Sequence, residues 1–213
     1  MSGSTQLIYC YDPMCSWCWG FQPAWNALQA QLTPLIESGD LEVHYLLGGL
    51  AKDSDQPMPV DMQQMLQSTW RRIEEQLGTV FNYDFWRDCA PRRSTYPACR
   101  ACLAAREDGL EMAMISAIQQ AYYLEAKNPS VLSTLIECAK NIGIEPESFE
   151  KDMEEIKSSK RLEKEIHFAR QLGLNSFPSL SVVSGDKIAS INLDYQNPQI
   201  MAAEITQVIA KLG

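Results

Sequence analysis

The spacing of hydrophobic positions changes several times along the chain, and each change predicts an element. Leu7-Ile8-Tyr9-Cys10-Tyr11 is a short apolar and aromatic run ended by Asp12-Pro13, the pattern of a buried strand followed by a turn. From Cys15 to about Glu37 the spacing becomes helical, with Phe21, Ala24, Leu28, Leu32 and Leu35 on one face. Pro23 and Pro34 lie inside that stretch and are expected to kink or shorten it, since proline lacks the amide and crowds the preceding turn. After the turn Ser38-Gly39-Asp40, Leu41, Val43, Tyr45 and Leu47 alternate with Glu42, His44 and Leu46, which is strand periodicity. Gly48-Gly49 stops it. Strand, helix, strand is the unit of a parallel pair joined by a crossover.

A polar loop from Lys52 to Pro59 precedes about a hundred residues of helical character. Helices are expected near Asp61–Leu77, Pro97–Glu107, Glu111–Ala126, Ser130–Ile142 and Glu147–Ile156. Pro97 reads as a first-turn proline behind Ser94-Thr95, and Asn128-Pro129 as a break with a fresh start. Leu162, Ile166, Ala169 and Leu172 form a further helical stripe closed by Gly173. Ser179–Val183 and Lys187–Leu193 are strand-like, and the Gly185-Asp186 between them signals a hairpin. Asn197-Pro198 opens a last helix with Ile200, Met201, Ile205, Val208 and Leu212 on its apolar side. Without the middle block, the order is a compact sandwich of helices around one mixed sheet. The expected division is a split α/β domain at 1–51 and 158–213, with a helical insertion at 52–157.

Composition narrows the class. The 213 residues are 46% hydrophobic, enough for one full core or a small domain carrying an insertion. No apolar stretch approaches the roughly 18 residues that cross a bilayer, and no membrane partner is expected. Met1 to Gln6 has neither a basic segment nor a long apolar one, so it does not read as a signal peptide. The net charge of −9 argues against nucleic acid, whose affinity comes chiefly from Lys and Arg. Seven cysteines is an odd number that a reducing cytoplasm tolerates and a secreted chain does not. Oligomeric state leaves no mark on the sequence.

The chemistry concentrates in Cys15-Ser16-Trp17-Cys18, just after a predicted strand and at the start of a predicted helix. A thiolate is the reactive form of cysteine, and helix N-termini favour it through unpaired amides and the dipole. Such thiols have pKa values of roughly 3.5 to 7.5, against about 8.5 for a free one. Cys18 lies one turn on and on the same face, placed to resolve a mixed disulfide on Cys15. Ser16 can donate a hydrogen bond to the thiolate, and Trp17 offers an apolar docking surface. The competing readings are two buried core cysteines or half of a zinc site.

The segment Tyr11-Asp12-Pro13-Met14-Cys15-Ser16-Trp17-Cys18-Trp19-Gly20-Phe21 resembles the active-site opening of DsbA-like proteins of the thioredoxin superfamily. More narrowly, it is similar to the cytoplasmic protein disulfide isomerase branch related to FrnE. Gly48-Gly49-Leu50-Ala51, Pro91 through Ala101 and Phe177-Pro178-Ser179-Leu180 extend the likeness over nearly the whole chain. The resemblance implies a thioredoxin-like fold of DsbA type with an inserted all-helical domain. It implies dithiol–disulfide exchange through Cys15 and Cys18 on protein or small-molecule thiols, without metal or organic cofactor and with glutathione as a potential co-substrate. It also implies a cis peptide at Phe177-Pro178, and substrate contacts from Phe177, Pro178 and Trp19. The Ser-Trp dipeptide departs from the strongly oxidising members, which carry a histidine there, so a less acidic Cys15 and a less oxidising couple are expected.

Other residues read more blandly. Cys99-Arg100-Ala101-Cys102 is a second C-x-x-C, but with Pro97 in the first turn both cysteines lie within a helix, where a bridge strains regular geometry; buried packing is expected. Zinc held by Cys15, Cys18, Cys99 and Cys102 would join pairs some eighty residues apart, far from the compact spacing of zinc ribbons. Cys10 reads as a strand core thiol, while Cys89 and Cys138 are isolated. His44 and His167 have no mutual spacing for metal or catalysis. Arg92-Arg93-Ser94-Thr95 lines a substrate groove if the helical block caps the site, or else is an ordinary loop with a cap. Two rival functions stay open: a glutathione-dependent isomerase or transferase similar to 2-hydroxychromene-2-carboxylate isomerase, which uses serine where this chain has Cys15, and a non-catalytic zinc-binding or chaperone-like module.

Overall fold

The computed structural model describes residues 5–212; Met1–Ser4, whose lack of leader character is a reading of the sequence alone, lie outside the described residues, as does Gly213. The chain opens with strand β1 (Thr5–Tyr11), helix α1 (Ser16–Glu37) and strand β2 (Leu41–Leu47). Seven helices follow: α2 (Val60–Leu77), α3 (Asp84–Asp88), α4 (Tyr96–Glu107), α5 (Glu111–Tyr123), α6 (Leu132–Asn141), α7 (Pro146–Ser158) and α8 (Arg161–Gln171). Strands β3 (Ser179–Ser184) and β4 (Lys187–Ile191) and helix α9 (Pro198–Leu212) close the fold. The strands form one mixed sheet in the order β2-β1-β3-β4. β1 and β2 run parallel with Thr5 opposite Leu41, while β1–β3 and β3–β4 are antiparallel.

Alternation along β1 decides what lies on each face of the sheet. Leu7, Tyr9 and Tyr11 point into the main core with Phe21, Trp25, Leu28 and Leu32 of α1. Ile8 and Cys10 point the other way, against Ala169 and Leu174. The expected shortening of α1 at its prolines does not occur: the helix runs unbroken through Pro23 and into a last turn holding Pro34. An interior proline costs about 3 kcal/mol. Phe21, Trp25, Leu28 and Leu32 are almost completely buried, and each contributes roughly 1.5–3 kcal/mol of apolar burial, which outweighs the lost hydrogen bonds.

Other boundaries moved by a few residues. α5 stops at Tyr123, three residues before the expected end, and Ala126 adopts φ 55°. α3 is a single turn that no periodicity could reveal; it places Phe85 in an aromatic cluster around Trp70. A partly buried ionic clamp joins the helical segment to the sheet. Arg106 of α4 pairs with Glu111 of α5 at 2.6 Å and Glu165 of α8 at 2.7 Å. Tyr11 of β1 donates to Glu111, and Glu165 accepts the Leu47 amide of β2.

Candidate active site

β1 ends beneath the site, and Asp12 builds the turn that presents Cys15. Its carboxylate accepts the Met14 amide at 2.9 Å, an Asx turn, and its backbone carbonyl accepts the Cys15 amide at 3.0 Å. Cys15 is the N-cap of α1 with extended backbone, and the helix starts at Ser16. Asp12 is fully buried and takes three more donors: the Leu50 amide at 2.7 Å, the Thr95 hydroxyl at 2.7 Å and the Cys99 thiol at 3.4 Å. One carboxylate therefore ties the turn before Cys15 to the loop after β2 and to α4. The sequence marks Asp12 only as a turn residue, because its other partners lie far along the chain.

Cys15 is 7% exposed and Cys18 1%. The Cys15 thiol donates to the Phe177 carbonyl at 3.5 Å, and its sulfur makes no capping hydrogen bond here. The thiolate is nevertheless favoured. The Cys18 thiol is the largest influence lowering the Cys15 pKa; the amides of Cys18 and Trp17 add to it, while burial and the Asp12 charge oppose it. Helix-start amides thus act as expected, but a neighbouring S–H contributes more. Burial, and then Cys15 itself, push the Cys18 thiol up. Burial also raises Cys10 to about 12, Cys138 to about 11, and Cys89, Cys99 and Cys102. Of the seven cysteines, all free, Cys15 alone is driven toward its reactive form.

The loop before β3 faces the cysteine pair, and its Phe177-Pro178 bond is cis. Pro178 is buried, and the Phe177 ring lies beneath Arg170, whose guanidinium carbon is 5.0 Å from the ring centre. The same guanidinium donates to the Gly48 carbonyl at 2.7 Å. Gly48 is glycine because no side chain fits: a Cβ there would sit 1.8 Å from Phe177. Arg170, Gly48 and Phe177 together hold the carbonyl that meets Cys15.

Cys15 opens onto a groove of about 320 Å³ between α1, α2 and the loop before α4, lined among others by Ser16, Trp17, Arg92, Arg93 and Phe177. Arg92 and Arg93, read from the sequence as groove lining or simple loop, do line it. Trp17 stands at the rim with the Arg72 guanidinium 5.3 Å over its ring. Ser16 lines the groove but makes none of the structure's hydrogen bonds to Cys15. Trp19, expected to touch substrate, turns elsewhere: it stacks on Tyr123 at 5.6 Å and donates to the Val80 carbonyl at 3.1 Å. One residue of helix rotates a side chain by about 100°, so Trp17 and Trp19 cannot share a face.

The second pair, Cys99 and Cys102, is fully buried in α4. Among the described residues no three His, Cys, Asp or Glu side chains group so as to hold a metal ion. None of the described helices is long and apolar enough to cross a membrane.

A dithiol at a helix start, facing a loop with a cis X-Pro bond on a mixed sheet, defines the class: a thioredoxin-like redox fold of DsbA type. The chain belongs to the thioredoxin family, whose description "Thioredoxin" matches residues 9–201. It is similar to the cytosolic disulfide reductase DsbM of Pseudomonas aeruginosa, with 27% identity, a TM-score of 0.74, and 95% of this chain and 98% of that one covered. DsbM is also known in a structure with GSH. A Nitrosomonas europaea protein provisionally assigned as a protein disulfide isomerase shares the fold, at 24% identity and a TM-score of 0.83 over 99% and 100% of the two chains. The ClpXP adapter protein SpxH of Halalkalibacterium halodurans is 25% identical over 180 residues, covering 81% of this chain and 56% of that protein. The chain thus spans little more than half the length of that curated relative.

Proposed function

We propose that the protein is a thiol–disulfide oxidoreductase working through Cys15 and Cys18. One observation carries the reading: Cys15 is the single cysteine whose thiolate the fold favours, and it opens onto a groove. Cys15 attacks a substrate disulfide, the S–S bond breaks, and the leaving thiolate takes up a proton. The Cys18 thiol, one turn behind, loses its proton and attacks the Cys15 sulfur of the mixed disulfide. The second substrate thiol leaves, the substrate gains two electrons, and Cys15–Cys18 is oxidised. Two glutathione thiols would return it to the dithiol, leaving glutathione disulfide. Run backwards, the same steps oxidise a substrate dithiol.

Phe177, Pro178 and Trp17 are the proposed substrate contacts; Trp19 is a packing residue. Glutathione as co-substrate is supported by its presence with the similar reductase DsbM. A cytoplasmic location is supported by the seven free cysteines and by the cytosolic setting of that reductase. Residues 52–157 are proposed as the helical insertion, closing over the site from one side. The isomerase alternative calls for a serine that activates glutathione where this chain has Cys15.

The test is reduction of insulin by the protein with glutathione as electron donor. Cys15→Ser should abolish turnover, and Cys18→Ser should accumulate a mixed disulfide visible as a mass increase. Full turnover by Cys15→Ser would overturn the proposal, and stoichiometric zinc in the reduced protein would favour a binding module instead.

A further inference from the structure

The walls of the catalytic groove carry the opposite charge from the rest of the protein. The chain has 27 acidic and 18 basic residues, yet the groove is lined by Arg72, Arg92 and Arg93 and by no aspartate or glutamate. Three other cavities lack this character: Glu125, Lys127 and Glu137 line one, Asp53, Glu150, Arg100 and Lys157 are among the residues of a second, and a third, which also touches Trp17, carries Asp194 and no cation. Asp12 lies behind the groove wall, fully buried, with its oxygens occupied by the donors already named.

The groove arginines are also largely uncommitted. Among the described residues neither Arg72 nor Arg93 has an acidic partner within 4.0 Å, although other arginines, such as Arg100 and Arg106, do. Arg92 has only Asp55, at 3.3 Å, whose side chain is 97% exposed; such a pair contributes little and exchanges easily. Arg72 stays near the cysteine motif by stacking on Trp17, a contact that leaves its N–H edges open. Arg93 is half-buried and shares the groove lining with Tyr122.

Uncommitted guanidiniums lining a half-enclosed groove are binding groups for carboxylates. We propose that Arg72 and Arg93 are specificity-determining residues that select small thiols and disulfides bearing carboxylates over uncharged ones of the same size. The selection rests on the redox reading of Cys15, whose reaction partner it names by class. The small volume favours a peptide of a few residues over a long acidic segment: about 320 Å³ lies at the low end of small-molecule sites. The arginines leave the S–S chemistry to Cys15. They hold the substrate's carboxylates while the sulfur reaches the nucleophile, and they draw anions toward an otherwise negative molecule.

The experiment is calorimetric titration of the whole reduced protein with S-methylglutathione and with its diethyl ester, which lacks both free carboxylates. Neither probe has a free thiol, so binding is read apart from redox chemistry. The acid should bind at least about tenfold more tightly than the ester, as expected for charge-assisted hydrogen bonds to two guanidiniums. Raising the salt to about 0.5 M should shrink that ratio, because exposed charges are screened. Arg72→Gln with Arg93→Gln should abolish the preference, and Arg72→Lys with Arg93→Lys should restore part of it. Equal binding of the two probes, no binding of either, or an intact preference in the glutamine variant would overturn the proposal. Failure of the redox reading shows separately, as retained disulfide turnover in Cys15→Ser.

Discussion

Gly48→Ala isolates the contact that holds the loop opposite Cys15. Gly48 is not among the glycines of positive φ, so alanine meets no backbone strain, and any effect comes from the new methyl group. That Cβ would lie 1.8, 2.2 and 2.3 Å from three atoms of the Phe177 ring, where ordinary contact begins at 3.4 Å. The ring must therefore retreat by about 1.6 Å or more, in a site packed at interior density. Retreat strains the Arg170 stack on the ring at 5.0 Å and moves the carbonyl that accepts the Cys15 thiol at 3.5 Å. Overpacking of this kind costs about 1–3 kcal/mol. Urea unfolding should show a lower midpoint at unchanged slope, and the insulin-reduction rate should fall as the groove deforms. Adding Phe177→Leu should recover most of the stability by removing the ring atoms that clash. If Gly48→Ala matched the wild type in both assays, Phe177 would not be held as argued. If stability fell but turnover did not, the link between this packing and the nucleophile would be wrong.

Further outcomes follow from the same geometry. Asp12 opposes the Cys15 thiolate by its charge, so Asp12→Asn should lower the midpoint of Cys15 alkylation against pH; an upward shift would refute the electrostatic role. Folding lowers the Cys15 pKa, so between that value and the free-thiol range near 8.5 the reduced native state binds fewer protons than the unfolded chain. Its stability relative to Cys15→Ala should therefore rise with pH across that window and be lost as pH falls through the folded value, as a pH series of denaturation curves would show. Arg106→Ala leaves the partly buried Glu111 and Glu165 without their cation and should cost about 1–3 kcal/mol, less than a fully buried pair because water reaches the site. A loss under 1 kcal/mol would mean that water replaces the clamp.

Local signals were sufficient for much of this protein. The five-residue run Leu7–Tyr11, the turn at Asp12-Pro13 and the helical spacing after Cys15 place the C-x-x-C pair at a strand-to-helix junction without any tertiary knowledge. The same holds for Pro97 in the first turn of α4, since a first-turn proline acts within a few residues. Pro23 and Pro34 did not shorten α1 for the complementary reason: propensity speaks for the isolated segment, whereas the buried face of α1 against the sheet decides whether the helix continues. Trp19 misled because a motif likeness names neighbours of the nucleophile without saying which way each one points.

The order of elements, the position of the C-x-x-C pair and the absence of any excess positive charge were thus determined by the sequence itself, because they depend on spacing and composition. Only the tertiary structure decided that Asp12 is a buried acid shared by three segments. It alone set Gly48 against Phe177 and gathered Arg72, Arg92 and Arg93 along one groove in an acidic protein. Those contacts join residues tens to more than a hundred positions apart, and nothing in the local pattern distinguishes an arginine bound for solvent from one bound for a groove until the chain has closed upon itself.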